Sequence, residues 1–148
     1  MRNTLMDFTL RKYKELLTCL LENGYKFITF EQYCAQKLAS SPNSLIASSP
    51  YIILRHDVDL KAANSLATAQ IEQALGIKAS YYFRVVAESN QPDIIRSIAE
   101  LGHEVGYHYE DMAIADGDAQ KAYAHFQKQL QYFRSFYPVR TICMHGAP

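Results

Sequence analysis

The chain has 148 residues, 49% hydrophobic and 20% charged, enough for a single domain with its own core and ordinary for a globular protein. Lys plus Arg and Asp plus Glu both number 15, so there is none of the basic excess that captures nucleic acid or an anionic membrane surface. No stretch approaches the roughly 20 apolar residues of a transmembrane helix, and Met1–Phe8 lacks the apolar block of a signal peptide.

In chain order, Leu10, Tyr13, Leu17, Leu20 and Leu21 recur at helical spacing and predict a first helix over 9–23, stopped by Gly24. Tyr25 to Thr29 reads as a short strand, with Thr29 capping a helix from Glu31 to Leu38. A polar, serine-rich loop spans Ser40 to Pro50. Tyr51 to Leu54 reads as a strand buried on both faces. A helix after Asp59 runs to Leu75 and closes at Gly76, and Ala79 to Val86 forms the next strand. Pro92 opens a helix to Leu101, ended by Gly102, and Glu104 to Tyr107 is a brief strand. Asp116 or Asp118 caps a long helix with Ala122, Phe126, Leu130, Phe133 and Tyr137 as its apolar stripe, blocked by Pro138. Arg140 to Met144 is the last strand.

This alternation predicts an α/β fold with parallel strands. A closed barrel of eight units needs about 200 residues or more. The expectation is therefore one domain over 1–148 forming part of a distorted (β/α) barrel. The chain stops at His145-Gly146-Ala147-Pro148, in mid-motif, so it is expected to lack its C-terminal strands. Its open sheet edge would then favour self-association.

Three segments carry chemistry: Arg55-His56-Asp57-Val58-Asp59, Gly102-His103-Glu104-Val105-Gly106-Tyr107-His108, and Met144-His145-Gly146. Each follows or ends an apolar run. In β/α folds the strand C-termini gather on the face that bears the site, so these Asp and His residues converge as a divalent-metal site would. Alternation puts Asp57 and Asp59 on one side, where one carboxylate can bind a metal and the other take a proton. The plainer reading makes Asp59 a helix N-cap and Arg55–Asp57 an ion pair. His103 and His108, five apart, fall on opposite faces. His103 is expected to be structural and His108 a ligand, with Glu110 and Asp111 as further oxygen donors or as a solvated loop. His145 is a metal or catalytic candidate, and His125 reads as surface. The cysteines, Cys19, Cys34 and Cys143, are odd in number and include no Cys-x-x-Cys pair, so a reduced, cytoplasmic setting is expected, with Cys143 a buried strand residue.

At these residues the chain resembles the polysaccharide deacetylase (NodB-homology, carbohydrate esterase 4) superfamily, and most strongly its divergent Arg-His-Asp-Val-Asp branch. Glu22-Asn-Gly-Tyr-Lys-Phe-Ile-Thr-Phe-Glu31 fits the lead-in. Ile53-Leu-Arg-His-Asp-Val-Asp59 stands where the superfamily carries Thr-Phe-Asp-Asp-Gly. Leu75-Gly-Ile-Lys-Ala-Ser-Tyr-Tyr-Phe83 resembles the next strand, and Ala99-Glu-Leu-Gly-His-Glu-Val-Gly-Tyr-His108 the Gly-His-Glu-Ile-Gly-Asn-His segment. The resemblance implies a NodB-like partial barrel, a divalent metal, zinc in many members, and removal of an N-acetyl group from a carbohydrate substrate. It implies Asp57 as general base and Asp59 and His108 as metal ligands. The family's late catalytic histidine would fall after Pro148, so His145 is the donor to the leaving amine that this chain offers, with Arg55 and His56 as further site candidates. The family's second metal histidine falls on Met112, so Glu110, Asp111, His103 or His145 must complete the site, or the metal is absent or different. The alternatives are a glycan-binding module without turnover and a metal-independent amide hydrolase of the same fold.

Overall fold

A computed structural model of the chain describes residues 9–39 and 50–146. The serine-rich loop expected from Ser40 lies outside the described residues except for Pro50. Short-range signals act as the sequence predicts. Helix α1 (Leu10–Glu22) is capped by Thr9, expected inside it, whose side chain accepts from the Lys12 N–H. Strand β1 (Lys26–Phe27) leads to α2 (Phe30–Leu38), which opens with a reciprocal capping box between Thr29 and Gln32. Strand β2 (Tyr51–Ile52) pairs with β1 in a separate two-stranded parallel sheet.

The main sheet has four parallel strands in chain order: β3 (Arg55–Val58), β4 (Ser80–Phe83), β5 (Glu104–Tyr109) and β6 (Ile142–Met144). It curls as half a barrel, with α3 (Ala62–Ala74), α4 (Pro92–Glu100) and α6 (Ala119–Phe133) as the long connections and a one-turn α5 (Asp111–Ile114) after β5. Two expectations are corrected. The apolar run Tyr51–Leu54 is half-buried and does not feed the Arg55 segment as a doubly buried strand; that segment is itself the strand, because Arg55 to Val58 are in register with Ser80 to Phe83. Nor does Asp59 cap the following helix, since α3 starts at Ala62 with Lys61 in the cap position. The long helix is capped by Asp118, which accepts from Gln120 and Lys121 N–H groups, whereas Asp116 adopts a positive φ of 48° in the preceding turn.

Side-chain alternation divides the sheet into two chemistries. Val58, Tyr81, Phe83, Val105 and Tyr107 face the helices and build the core with Ala62 and Ala69 of α3, Ile95 and Ile98 of α4, and Phe133 of α6. Alanines on α3 let that helix approach the strands closely. The inner face carries Arg55, Asp57, Ser80, Tyr82, Glu104, Gly106 and His108. Glu104 is buried there, accepting from Ser80 Oγ at 2.5 Å, from Thr141 Oγ1 and from the Glu31 N–H at 3.1 Å, so it pins the start of α2 across this face. Among the described residues β6 pairs only with β5, and Ile142 and Met144 on it are exposed.

Gly106 is the tight point of the inner face. A Cβ there would lie 2.4 Å from the Tyr82 ring and 2.9 Å from the Thr141 carbonyl. Its absence lets Tyr82 cross the face and reach Thr141 Oγ1 at 2.8 Å, forming the floor beneath the strand ends. Gly106→Ala is therefore expected to lower the unfolding free energy by about 2–3 kcal/mol in urea titration. The loss should be smaller in a Tyr82→Ala background, where the ring is gone.

Candidate metal centre

Four side chains meet at the C-terminal ends of β3, β5 and β6. His108 Nε2 lies 4.0 Å from Asp57 Oδ2 and 3.7 Å from Asp59 Oδ1. His145 Nε2 lies 3.5 Å from the same Asp59 oxygen, and the two imidazole rings stand edge to face with centroids 5.0 Å apart. The strands set up this meeting: His108 is paired with Cys143 in the β5–β6 register, which brings His145 alongside, and Asp59 follows Asp57 by two residues in the bend just past β3.

The tautomer of His108 follows from its surroundings. Its Nδ1–H donates to the Cys143 carbonyl at 3.1 Å, which leaves the Nε2 lone pair directed at the two aspartates. Asp59 Oδ1 is shut off from solvent yet accepts no hydrogen bond, and His145 Nδ1 is likewise buried without a hydrogen bond. Donor atoms spaced 3.5 and 3.7 Å apart sit close to the edge, about 3.4 Å, of a tetrahedron with bonds of about 2.1 Å. Asp59, His108 and His145 thus form a group that could hold a metal ion.

Guanidinium groups hold the flanking carboxylates. Arg55 Nη2 donates to Asp57 Oδ2 at 2.7 Å, so the expected ion pair forms, on the same face as the cluster. Arg84 grips Glu110 through three contacts of 2.8–3.0 Å, and Glu110 Oε2 then lies 3.4 Å from His145 Nδ1. Glu110 is committed to Arg84 and stands behind His145, not among the free donors. Cys143, expected to be buried, is partly exposed and belongs to this face; burial first, and then the Asp57 charge, push its thiol up, opposed by Arg55.

The remaining candidates lie elsewhere. Asp111 is not a solvated loop residue: it is buried, receives the Tyr107 hydroxyl at 3.0 Å on each oxygen, and contacts His125 Nδ1 at 2.5 Å. His125, expected to be free surface, is thereby a structural partner tying α6 to the end of β5. Met112 is exposed on α5, outside the cluster. His56 and His103 face the helices, where they surround the fully buried Glu72 of α3. Glu72 Oε1 meets His56 Nε2 at 2.7 Å and accepts from the Tyr13 hydroxyl; Oε2 accepts from the Tyr81 hydroxyl at 2.6 Å and lies 3.6 Å from His103. Burial pushes the Glu72 carboxyl up, but hydrogen bonds and charge from His56, with those from Tyr13 and Tyr81, more than offset it and hold it below the usual carboxylate range. A cavity of about 690 Å³ between α1 and α3 is lined by Tyr13, His56 and Thr68, on the opposite side of the sheet from Asp57.

Sequence reasoning missed Glu72, Arg84 and the orientation of Cys143. Alternation was a usable signal for two of them, since Arg84 is two residues from Tyr82 and Cys143 two from His145. The weak apolar pattern of α3 offered none for Glu72.

His103 is the structural histidine expected. Its Nδ1 accepts from the Ala79 N–H at 3.1 Å, so Nε2–H donates to the Ala69 carbonyl at 3.0 Å. Burial holds this imidazole below its ordinary value of 6.5. The unfolded chain therefore takes up the proton first, so the neutral ring's contribution is complete above pH 6.5 and is lost as pH falls below it. Urea unfolding at about pH 7.5 and about pH 5.5 should show wild type losing more stability on acidification than His103→Gln.

Comparison with family models, with curated proteins and with solved structures found no match to this chain.

Proposed function

We propose that this chain is a metal-dependent hydrolase that removes an acyl group, N-acetyl in the simplest case, from a carbohydrate, with a divalent ion of the zinc class at Asp59, His108 and His145. The observation that carries the reading is the buried, unpartnered Asp59 Oδ1 facing two imidazoles, one of them with its tautomer fixed for ligation. The carbohydrate and the NodB-like identity of the half-barrel rest on the Arg-His-Asp-Val-Asp and Gly-His-Glu-Val-Gly-Tyr-His segments. No described helix is long and apolar enough to cross a membrane. Self-association through the β6 edge belongs to the same reading.

A zinc-class ion bound there supplies Lewis acidity and allows water to act as a nucleophile at neutral pH. The protein does the rest. Asp57, oriented by Arg55, takes the proton of the attacking water as it adds to the acyl carbon. The carbon–nitrogen bond then breaks, and Asp57 returns that proton to the departing amine. His145 serves in this scheme as a ligand, in the place Met112 leaves vacant, with Glu110 and Arg84 steadying the ring from behind.

Elemental analysis of purified protein should find about one equivalent of a zinc-class metal, lost in Asp59→Ala/His108→Ala; no metal in either protein would end the metal-hydrolase reading. Asp57→Asn should keep the metal while hydrolysis of N-acetylated oligosaccharides falls by about 100-fold or more. Activity surviving chelation would point instead to the metal-independent hydrolase.

A further inference from the structure

The inner face holds a second group of donors that the proposed hydrolysis does not use as ligands. Asp57, His108 and Cys143 place a carboxylate oxygen, an imidazole nitrogen and a thiol sulfur all within 4.8 Å of one another. We propose that these three residues form a second cation position, selective for thiophilic divalent ions, which shares His108 with the Asp59–His145 group and therefore excludes it. The inference rests on the metal reading only in that His108 serves both positions.

Three observations carry it. His108 is only 3% exposed, its Nδ1 is committed to the Cys143 carbonyl, and its Nε2 faces Asp57 Oδ2 without a hydrogen bond. Cys143 is the β6 residue in register with His108, so the thiol is built into the same face by the strand pairing. The thiol's own hydrogen bond is a long one, 3.7 Å to the next residue's carbonyl, and is readily given up to a metal. A thiolate beside imidazole and carboxylate favours the softer divalent ions, cadmium ahead of zinc and cobalt, and disfavours magnesium and calcium, which take oxygen donors.

A single Nε2 lone pair serves one ion at a time. An ion on Asp59 and His145 leaves Asp57 free as a base. An ion on Cys143 takes Asp57 as a ligand and removes that base. Soft ions are thus drawn to the position that silences the proposed chemistry.

The test is cobalt(II) titration of the full chain carrying Cys19→Ser and Cys34→Ser, both exposed positions, so that any thiolate signal belongs to Cys143. The expected result is a near-ultraviolet thiolate-to-cobalt band beside the visible ligand-field bands. That band should persist in Asp59→Ala and vanish in Cys143→Ser, which still binds cobalt through Asp59, His108 and His145. Adding Asp57→Asn to Asp59→Ala should weaken cobalt binding by at least about tenfold. Visible bands without the near-ultraviolet band would overturn the proposal and leave the metal reading standing. Loss of the near-ultraviolet band in Asp59→Ala would also overturn it, by showing a single position. No cobalt spectrum in any variant would remove both.

Discussion

Strict alternation along β5 is the constraint on which the rest of the molecule depends. Val105, Tyr107 and Tyr109 turn one way, into the aromatic packing with Phe126 and Phe133 of α6. Glu104, Gly106 and His108 turn the other way and give the inner face its anchor, its gap and its imidazole. A slip of one residue would bury His108 among aromatic rings and expose the core tyrosine. The core and the site are therefore specified by one register, with β4 and β6 locked to it on either side.

The helix face makes a second, separate use of polar groups. Glu72 collects donors from α1 (Tyr13), β3 (His56) and β4 (Tyr81), three elements far apart in sequence. Such a buried carboxylate costs heavily in desolvation unless its oxygens are satisfied. Because they are, the network fixes the position of α1 and the rotation of β3. That rotation matters to the site, since His56 and Asp57 are neighbours on opposite faces of the same strand. Holding one ring against Tyr81, with centroids 4.3 Å apart, holds the next carboxylate toward His108.

Much of the fold was legible from local signals. Caps at Thr29 and Asp118 act within one helical turn, so a sequence records them directly. The parallel half-barrel followed from the order of strands and helices, and the opposition of His103 to His108 followed from the period of two. What was not legible depends on partners distant in the chain. The apolar run at Tyr51–Leu54 looked like the strand of the motif because hydrophobicity marks burial, whereas strand identity at Arg55–Val58 is set by pairing to Ser80–Phe83. Asp111 and His125 looked like solvent-facing residues because their mutual contact joins α5 to α6 and no local pattern encodes it. Glu110 was visible as a carboxylate, but its commitment to Arg84 was not.

Charge balance on the inner face gives the site its direction. Of the three carboxylates at its upper end, Asp57 has Arg55 and Glu110 has Arg84. Among the described residues, Asp59 has no guanidinium or ammonium partner, only the imidazoles of His108 and His145. Its Oδ1 is withdrawn from water, so the charge is neither solvated nor hydrogen-bonded at that atom. A divalent ion held there would neutralise that carboxylate and engage both imidazoles while leaving the Arg55–Asp57 and Arg84–Glu110 pairs in place, which is why Asp59, His108 and His145 form a group that could hold one.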